Sequence, residues 1–134
     1  MEPGPQARLV NGQRCGIEVE NAHLSTYLYR QTGFDAVKVK AKSTCTTATG
    51  NVILTVKIMK RGFIFDHVVW SHSERSNYVP ANVSFENKST LFKCKNTTKT
   101  IFYGIASSTA TIDGKFYRTG EVKSDKSVQL SCGT

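Results

Sequence analysis

Histidine and carboxylate side chains gather in one stretch of this 134-residue chain, between positions 66 and 74. His72 and Glu74 stand two residues apart, so on a strand they would share one face. With Asp66 they could form an acid–base or metal-ligand cluster. Asp66 and Glu74 are, however, too far apart along an extended segment to meet at one atom without a bend. We therefore expect no metal site, no cofactor and no catalytic residue here.

His67 is better explained by packing than by chemistry. It alternates with Phe63, Phe65 and Val69, which places these residues on one face of a predicted strand. We expect that face to look inward. His67 would then be a hydrogen-bonded core or boundary residue rather than a ligand.

A secreted ribonuclease-type toxin is the enzyme hypothesis that these residues leave open. A small basic chain can run that chemistry on a histidine and a carboxylate, with a cation on the phosphate. His67 or His72 would be the acid. Glu74 would be the base and Arg75 the phosphate-binding cation. Such sites usually gather residues from several strands, and the common nucleophile, phosphate-loop and zinc motifs are missing from the sequence. We therefore predict a protein that is not an enzyme.

Four cysteines without any C-x-x-C pair favour two structural disulfides over a zinc or redox site. They are Cys15, Cys45, Cys94 and Cys132. Three connectivities are possible, and we predict the one that closes successive loops, Cys15–Cys45 and Cys94–Cys132. Disulfides indicate an oxidising compartment and hence a secreted, extracellular protein. Four reduced cysteines in a cytosolic protein are the alternative. No apolar signal segment precedes Cys15, so we expect a mature domain from which the signal was removed.

The chain carries 18 Lys and Arg against ten Asp and Glu, a formal charge of +8. When the chain is divided after His67, each half holds nine basic and five acidic residues, so the charge belongs to the whole surface. An anionic partner and simple solubility explain such a surface equally well. No apolar run approaches the roughly 20 residues of a membrane span, and none is expected.

Two groups of lysines alternate with other residues: Lys38, Lys40 and Lys42, then Lys93 and Lys95. Each group would form a row of ammonium groups on one strand face. Such rows could bind an anionic polymer. On an outer or edge strand they also prevent sheet-to-sheet aggregation, which is the interpretation we favour. The basic residues are not interleaved with aromatic ones as on an RNA-binding sheet, so nucleic acid is not an expected partner.

Two features favour a protein partner. Tyr27 and Tyr29 would share the outward face of a strand, where rigid aromatic side chains add contact area at little entropic cost. Prolines and glycines in residues 1–14 predict an extended or flexible N-terminal arm. Arms of this kind can add a strand to another protein's sheet, with Leu9 and Val10 as anchors.

Apolar and polar residues alternate with a period of two, as in strands, along most of the chain. Residues 52–71 predict one long hairpin that turns at Arg61-Gly62. Residues 101–122 predict another that turns at Asp113-Gly114. The chain is therefore predicted to be all-β, with a single antiparallel β-sandwich over residues 15–134, immunoglobulin-like or a related Greek key, and two disulfides.

Three Asn-x-Ser/Thr triplets begin at Asn82, Asn87 and Asn96 and fit a glycoprotein. The ectodomain of an immunoglobulin-like glycoprotein is therefore a further alternative. The single Trp70 is not framed by cysteines as it is in true immunoglobulin domains.

Three segments resemble small secreted two-disulfide β-sandwich proteins of actinobacteria. They are G-F-I-F-D-H-V-V at 62–69, C-K-N-T-T-K-T-I-F-Y-G-I-A-S-S-T-A-T-I-D-G-K-F-Y-R-T at 94–119, and the terminal L-S-C-G. Some proteins of this size and layout are adaptor subunits of umbrella-shaped polymorphic toxin particles, in which they join a lectin-like subunit to a larger toxin polypeptide. The resemblance implies a sandwich without a catalytic centre whose N-terminal arm engages a partner. It predicts a secreted, non-catalytic protein-binding module, an adaptor subunit of an extracellular toxin or cell-surface assembly.

Overall fold

A computed structural model of the chain describes residues 6–8, 14–25 and 35–134. Eleven strands and no helix lie in these ranges. The strands are β1 (Gln6–Arg8), β2 (Arg14–Val19), β3 (His23–Leu24), β4 (Ala36–Cys45), β5 (Thr49–Lys60), β6 (His67–Val79), β7 (Phe85–Lys93), β8 (Lys99–Ile112), β9 (Lys115–Arg118), β10 (Val122–Lys123) and β11 (Val128–Ser131). The prediction of an all-β protein is confirmed.

The strands form two antiparallel sheets that pack together, as predicted. In the first sheet β4 is central. Strands β2 and β3 pair with one of its edges, β7 pairs with the other, and β1 pairs with β2. In the second sheet β5 lies between β6 and β8. The far edge of β8 carries β11, β10 and β9 one after another.

Alternation along the central strands supplies the core, because every second side chain of a strand faces the opposite sheet. Leu54, Val56 and Ile58 on β5 are fully buried. They pack in one cluster with Phe102 of β8 and with Val39 of β4. This apolar layer holds the two sheets together.

Both predicted hairpins are present. Strands β8 and β9 meet at Asp113 and Gly114, whose φ values of 50° and 75° suit a two-residue hairpin turn. Strands β5 and β6 form the other hairpin, but the predicted two-residue turn at Arg61-Gly62 is wrong. A six-residue loop, residues 61–66, connects these strands, and β6 begins at His67.

Asn87 joins the two sheets. Its side chain is fully buried on β7, and its Nδ2 donates to two backbone carbonyls of the second sheet, Leu54 at 3.1 Å and His72 at 3.0 Å. Its Oδ1 accepts the Thr90 hydroxyl at 2.9 Å. Because the amide is committed to these bonds and hidden from solvent, the triplet that begins at Asn87 is not accessible for glycosylation.

The disulfides have the predicted connectivity. Cys15–Cys45 bridges two residues that pair directly across β2 and β4. Cys94–Cys132 links the residue after β7 to the residue after β11, and so connects the first sheet to the second. Their presence fits an extracellular protein.

Candidate functional site

The structure places His67 in solvent and corrects the prediction of an inward face. His67, Phe63 and Phe65 are all exposed, and of the predicted set only Val69 packs against the core. The strand period does not continue through residues 61–66, because these residues form a loop.

His72 and Glu74 meet as their spacing predicts, with His72 Nε2 2.8 Å from Glu74 Oε1. They pair in register with buried residues of β5, whereas Arg75 pairs with the partly exposed Ile53 and lies on the other face of β6. The structure therefore brings together the His72 and Glu74 of the ribonuclease hypothesis but places Arg75 on the other face of the strand. Across 6–8, 14–25 and 35–134, no three His, Cys, Asp or Glu side chains are placed to hold a metal ion.

The lysines of β4 lie in the centre of the first sheet and not at an edge. Edge protection therefore does not explain Lys38, Lys40 and Lys42, since both edges of β4 are paired. Glutamates from the neighbouring strands flank the row. Lys42 Nζ lies 3.3 Å from a Glu18 carboxylate oxygen, and Lys42 also pairs in register with Glu86.

This row borders a groove of about 580 Å³ whose lining contains charges of both signs. The lining includes three lysines and four carboxylates: Lys40, Lys42, Lys88, Glu18, Glu20, Glu86 and Asp125. Burial, and then repulsion from Lys40 and Lys88, lowers the pKa of Lys38. Alternation of lysines along β4 predicted a uniformly cationic surface. The outer face of the first sheet instead carries both lysines and carboxylates.

The other surface and partner-binding residues that the sequence predicted are either exposed or outside the described residues. Lys93 ends β7 and Lys95 follows it by two residues, both exposed. The predicted partner-binding residues Leu9, Val10, Tyr27 and Tyr29 lie outside the described residues. Of the predicted N-terminal arm, residues 6–8 form β1, which pairs with β2 in the first sheet.

The most exposed large apolar side chains that the structure describes lie in the loop between β5 and β6. Phe63, Ile64 and Phe65 are 103%, 76% and 73% exposed, and we call these three residues the apolar tip. Val68 and Trp70, near the start of β6, are each about half exposed. Exposed apolar clusters of this kind mark binding surfaces.

Asp66 holds the base of the tip. Its Oδ1 accepts the backbone N–H of Gly62 at 3.3 Å, and its Oδ2 accepts the Tyr103 hydroxyl at 2.6 Å. The hydrogen bond from Tyr103 is the main cause that lowers the pKa of Asp66. A Cβ at position 62 would collide with the carbonyl oxygen of Phe65, so this closure of the loop requires glycine.

Tyr103 provides a buried platform on the outer face of the second sheet. It belongs to a small apolar cluster of Met59, Tyr103 and Ile105. The guanidinium carbon of Arg61 lies 5.7 Å from the ring centre of Tyr103, and Lys123 Nζ lies 5.8 Å from it, both within cation–π range. Burial, followed by the bond to Asp66, raises the pKa of Tyr103 to about 12. The loop that carries the tip is thus bonded to the sheet.

A groove of about 610 Å³ lies beside the tip, and we call it the basic groove. Its ionisable side chains are Lys60, Arg61, His67 and Lys99, and its neutral polar side chains include Asn96, Thr98, Thr100 and Gln129. None of the described residues that line it is Asp or Glu.

Sequence reasoning missed the tip because Phe63 and Phe65 alternate with Ile64 and Asp66 as a strand would. Three consecutive apolar residues after Arg61-Gly62 are the signal that could have shown it, since a buried strand face needs only every second position to be apolar. Alternation alone cannot separate a strand from a loop that displays all three side chains.

Comparison of the chain with protein-family models, curated proteins and solved structures found no match. Within the described part of the chain, no helix is long and apolar enough to cross a membrane.

Proposed function

We propose that this protein is an extracellular, non-catalytic adaptor that docks on a protein partner through the apolar tip. The observation that carries the proposal is the exposure of Phe63, Ile64 and Phe65 on a loop that Asp66 holds at its base. Two disulfides support the extracellular location.

Burial in a partner would make the tip an effective anchor. Each of its side chains would contribute roughly 1.5 to 3 kcal/mol on moving from water into an apolar pocket. Aromatic side chains at the centre of an interface dominate binding. Because Asp66 and Tyr103 already hold the loop, little conformational entropy is lost when the partner binds.

The charges beside the tip define the chemistry of the partner. Arg61 and Lys123 flank the base of the tip, and the nearby Asp66 carboxylate is occupied by Tyr103 and the Gly62 amide. The surface that fits is therefore an apolar socket bordered by carboxylates, because opposite charges steer encounter and set register.

An adaptor also needs a second contact, and the opposite end of the sandwich is available for it. The tip follows the last residue of β5, whereas β1 and the start of β2 lie near Cys45, just before β5 begins. The length of β5 separates the two ends by about 40 Å. The resemblance to adaptor subunits of toxin particles supports an N-terminal contact there and a place in an extracellular toxin or cell-surface assembly.

Cross-linking from the tip tests this function. A photo-reactive amino acid replaces Ile64, and the protein is incubated in the extracellular fluid of its native source. We expect one protein species to be cross-linked, and the double variant Phe63→Asp/Phe65→Asp to lose that capture with an unchanged thermal melt.

Phe116→Asp is the matched control, since Phe116 is 65% exposed on β9, at the other end of β8. This variant should retain capture. Equal capture by the tip variant and the control would overturn the proposal, as would cross-linking to lipid without any protein.

A further inference from the structure

We infer that the basic groove is a binding site for a phosphate-type oxyanion, either a phosphate monoester or a phosphodiester. This site goes beyond the proposed docking of a protein on the apolar tip and does not depend on it.

Two cations of the groove donate hydrogen bonds to neutral hydroxyl groups. Lys60 Nζ donates to the Thr134 hydroxyl at 2.8 Å, and Arg61 donates to the Ser127 hydroxyl at 3.1 and 3.3 Å. The ion pairs found in the described part of the chain involve Lys42, Lys57, His72 and Lys88. Lys60, Arg61 and Lys99 therefore line a groove to which no described Asp or Glu contributes, and Asp66, which interacts with Arg61, lies outside that lining. Such an excess of cations attracts an anion that carries more than one negative charge.

Neutral donors complete the chemistry of the groove. Thr98, Thr100 and Gln129 line the groove together with the three cations, and the Thr100 hydroxyl donates to the Thr98 carbonyl at 3.4 Å. A phosphate group offers several acceptor oxygens, and arginine, lysine and hydroxyl donors together satisfy them. The volume of about 610 Å³ exceeds that of a lone phosphate ion and suits a phosphate group with its substituent.

Backbone hydrogen bonds and a disulfide join the two segments that form one wall of the groove. The Asn96 carbonyl accepts the Gly133 N–H at 2.9 Å, and the Gly133 carbonyl accepts the Lys95 N–H at 2.9 Å. A Cβ at position 133 would collide with the Asn96 side chain, so the two segments approach as closely as glycine permits. Cys94–Cys132 links the same two segments. Preorganisation of this kind reduces the ordering that binding requires.

Inorganic phosphate is the first probe. It is titrated into ¹⁵N-labelled protein at low ionic strength, with sodium chloride as the ionic-strength control. We expect phosphate to shift the amide resonances of Thr98, Lys99, Thr100 and Gln129. Lys99→Glu replaces a cation of the groove with an anion, a change of two charges, and should weaken this binding by at least roughly three- to tenfold.

Lys115→Glu makes the same charge change about 40 Å away, at the other end of β8, and should leave the phosphate affinity unchanged. The tip variant Phe63→Asp/Phe65→Asp should also retain it. Failure of the protein-docking proposal and failure of this one are thereby distinguishable.

Vesicles identify the source of the phosphate group. Sedimentation with vesicles of phosphatidylglycerol and phosphatidylcholine, weakened by Lys99→Glu, would assign a lipid headgroup. Phosphate-induced shifts without vesicle binding would assign a soluble phosphate ester. The proposal is overturned if neither phosphate nor anionic vesicles bind. It is also overturned if Lys99→Glu and Lys115→Glu weaken binding equally, or if pure phosphatidylcholine vesicles bind as well as anionic ones.

Discussion

The Tyr103 hydroxyl donates a 2.6 Å hydrogen bond to Asp66 Oδ2, which joins the outer face of the second sheet to the loop that carries the apolar tip. The two residues are 37 positions apart, on β8 and at the end of the β5–β6 loop. The bond holds the pKa of Asp66 low, and it helps burial to raise the pKa of Tyr103 to about 12. Both changes favour the carboxylate and the neutral phenol that the bond requires, so the tip stays bonded to the sheet throughout the neutral range.

The pH range of this bond is the first prediction. The pKa of Asp66 is lowered, so its stabilising contribution is present above the ordinary carboxyl pKa and is lost as the pH falls through the lowered value. The pKa of Tyr103 is raised, so its contribution is present below the ordinary value of 10.0 and is lost as the pH rises through about 12.

The absorbance of the phenolate measures the alkaline side of that range. One tyrosine should ionise at about pH 12, and Asp66→Asn should move this transition toward 10.0 without reaching it, because burial is the larger cause of the shift. Tyr103→Phe should remove the transition altogether. An alkaline transition that is the same in Asp66→Asn as in the native protein would show that the bond is not formed in solution.

Truncation to alanine should lower the free energy of unfolding at Phe102 but hardly change it at Phe63. Phe102 is fully buried between the sheets, so Phe102→Ala should lower the free energy of unfolding by roughly 3 to 5 kcal/mol. Phe63 is fully exposed, so Phe63→Ala should change it by less than about 0.5 kcal/mol. Chemical denaturation of both variants checks this. A large loss of stability in Phe63→Ala would mean that the tip packs on the domain.

Removal of the Asn87 amide should destabilise the contact between the sheets. Asn87→Ala leaves two backbone carbonyls and the Thr90 hydroxyl without their buried partner, and should lower the free energy of unfolding by about 2 to 3 kcal/mol. Asn77→Ala is the control, since Asn77 is exposed on β6, and should change stability little. Equal stability of the two variants in a urea titration would argue against the bridge.

Each disulfide should stabilise the fold by a similar amount. The bonds Cys15–Cys45 and Cys94–Cys132 span 30 and 38 residues, which on a chain-entropy model corresponds to roughly 3 to 4 kcal/mol each. We expect the double variants Cys15→Ala/Cys45→Ala and Cys94→Ala/Cys132→Ala to lose that amount in denaturant unfolding.

The mass of the native protein, alkylated without reductant, should show no modified thiol. Four alkylated cysteines would contradict both the pairing and the extracellular location.

The strands and the disulfides were accessible from the sequence because they depend on local or nearly local information. Alternation at Leu54, Val56 and Ile58 predicts a half-buried strand, since the side-chain period of a strand is two. Asp113-Gly114 predicts the second hairpin turn, since both positions tolerate positive φ. The number and spacing of the cysteines predict two disulfides, and the favoured one of three possible pairings is the one that the structure has.

The apolar tip and the surroundings of the β4 lysines could not be predicted from local sequence patterns. The same alternation that predicted β5 correctly continued through Phe63 and Phe65 and predicted a strand where the chain forms a loop. Alternation predicts a lysine row on β4 but not whether β4 is an outer, edge or central strand, because the order of strands in a sheet depends on residues from other strands. The glutamates that flank it come from β2 and β7, at positions distant in sequence.

By itself the sequence determined the fold class, the presence of two long hairpins and the net charge, because each depends on residue type and short-range spacing. It left three disulfide pairings open, and the structure has the one that closes successive loops. Only the tertiary structure decided that Tyr103 would hold Asp66 and so present the apolar tip. It also decided that Lys60 and Lys99 would line one groove beside that tip. Both arrangements involve residues that are tens of positions apart. The register between strands brings them together, and register is set by the packing of the whole core.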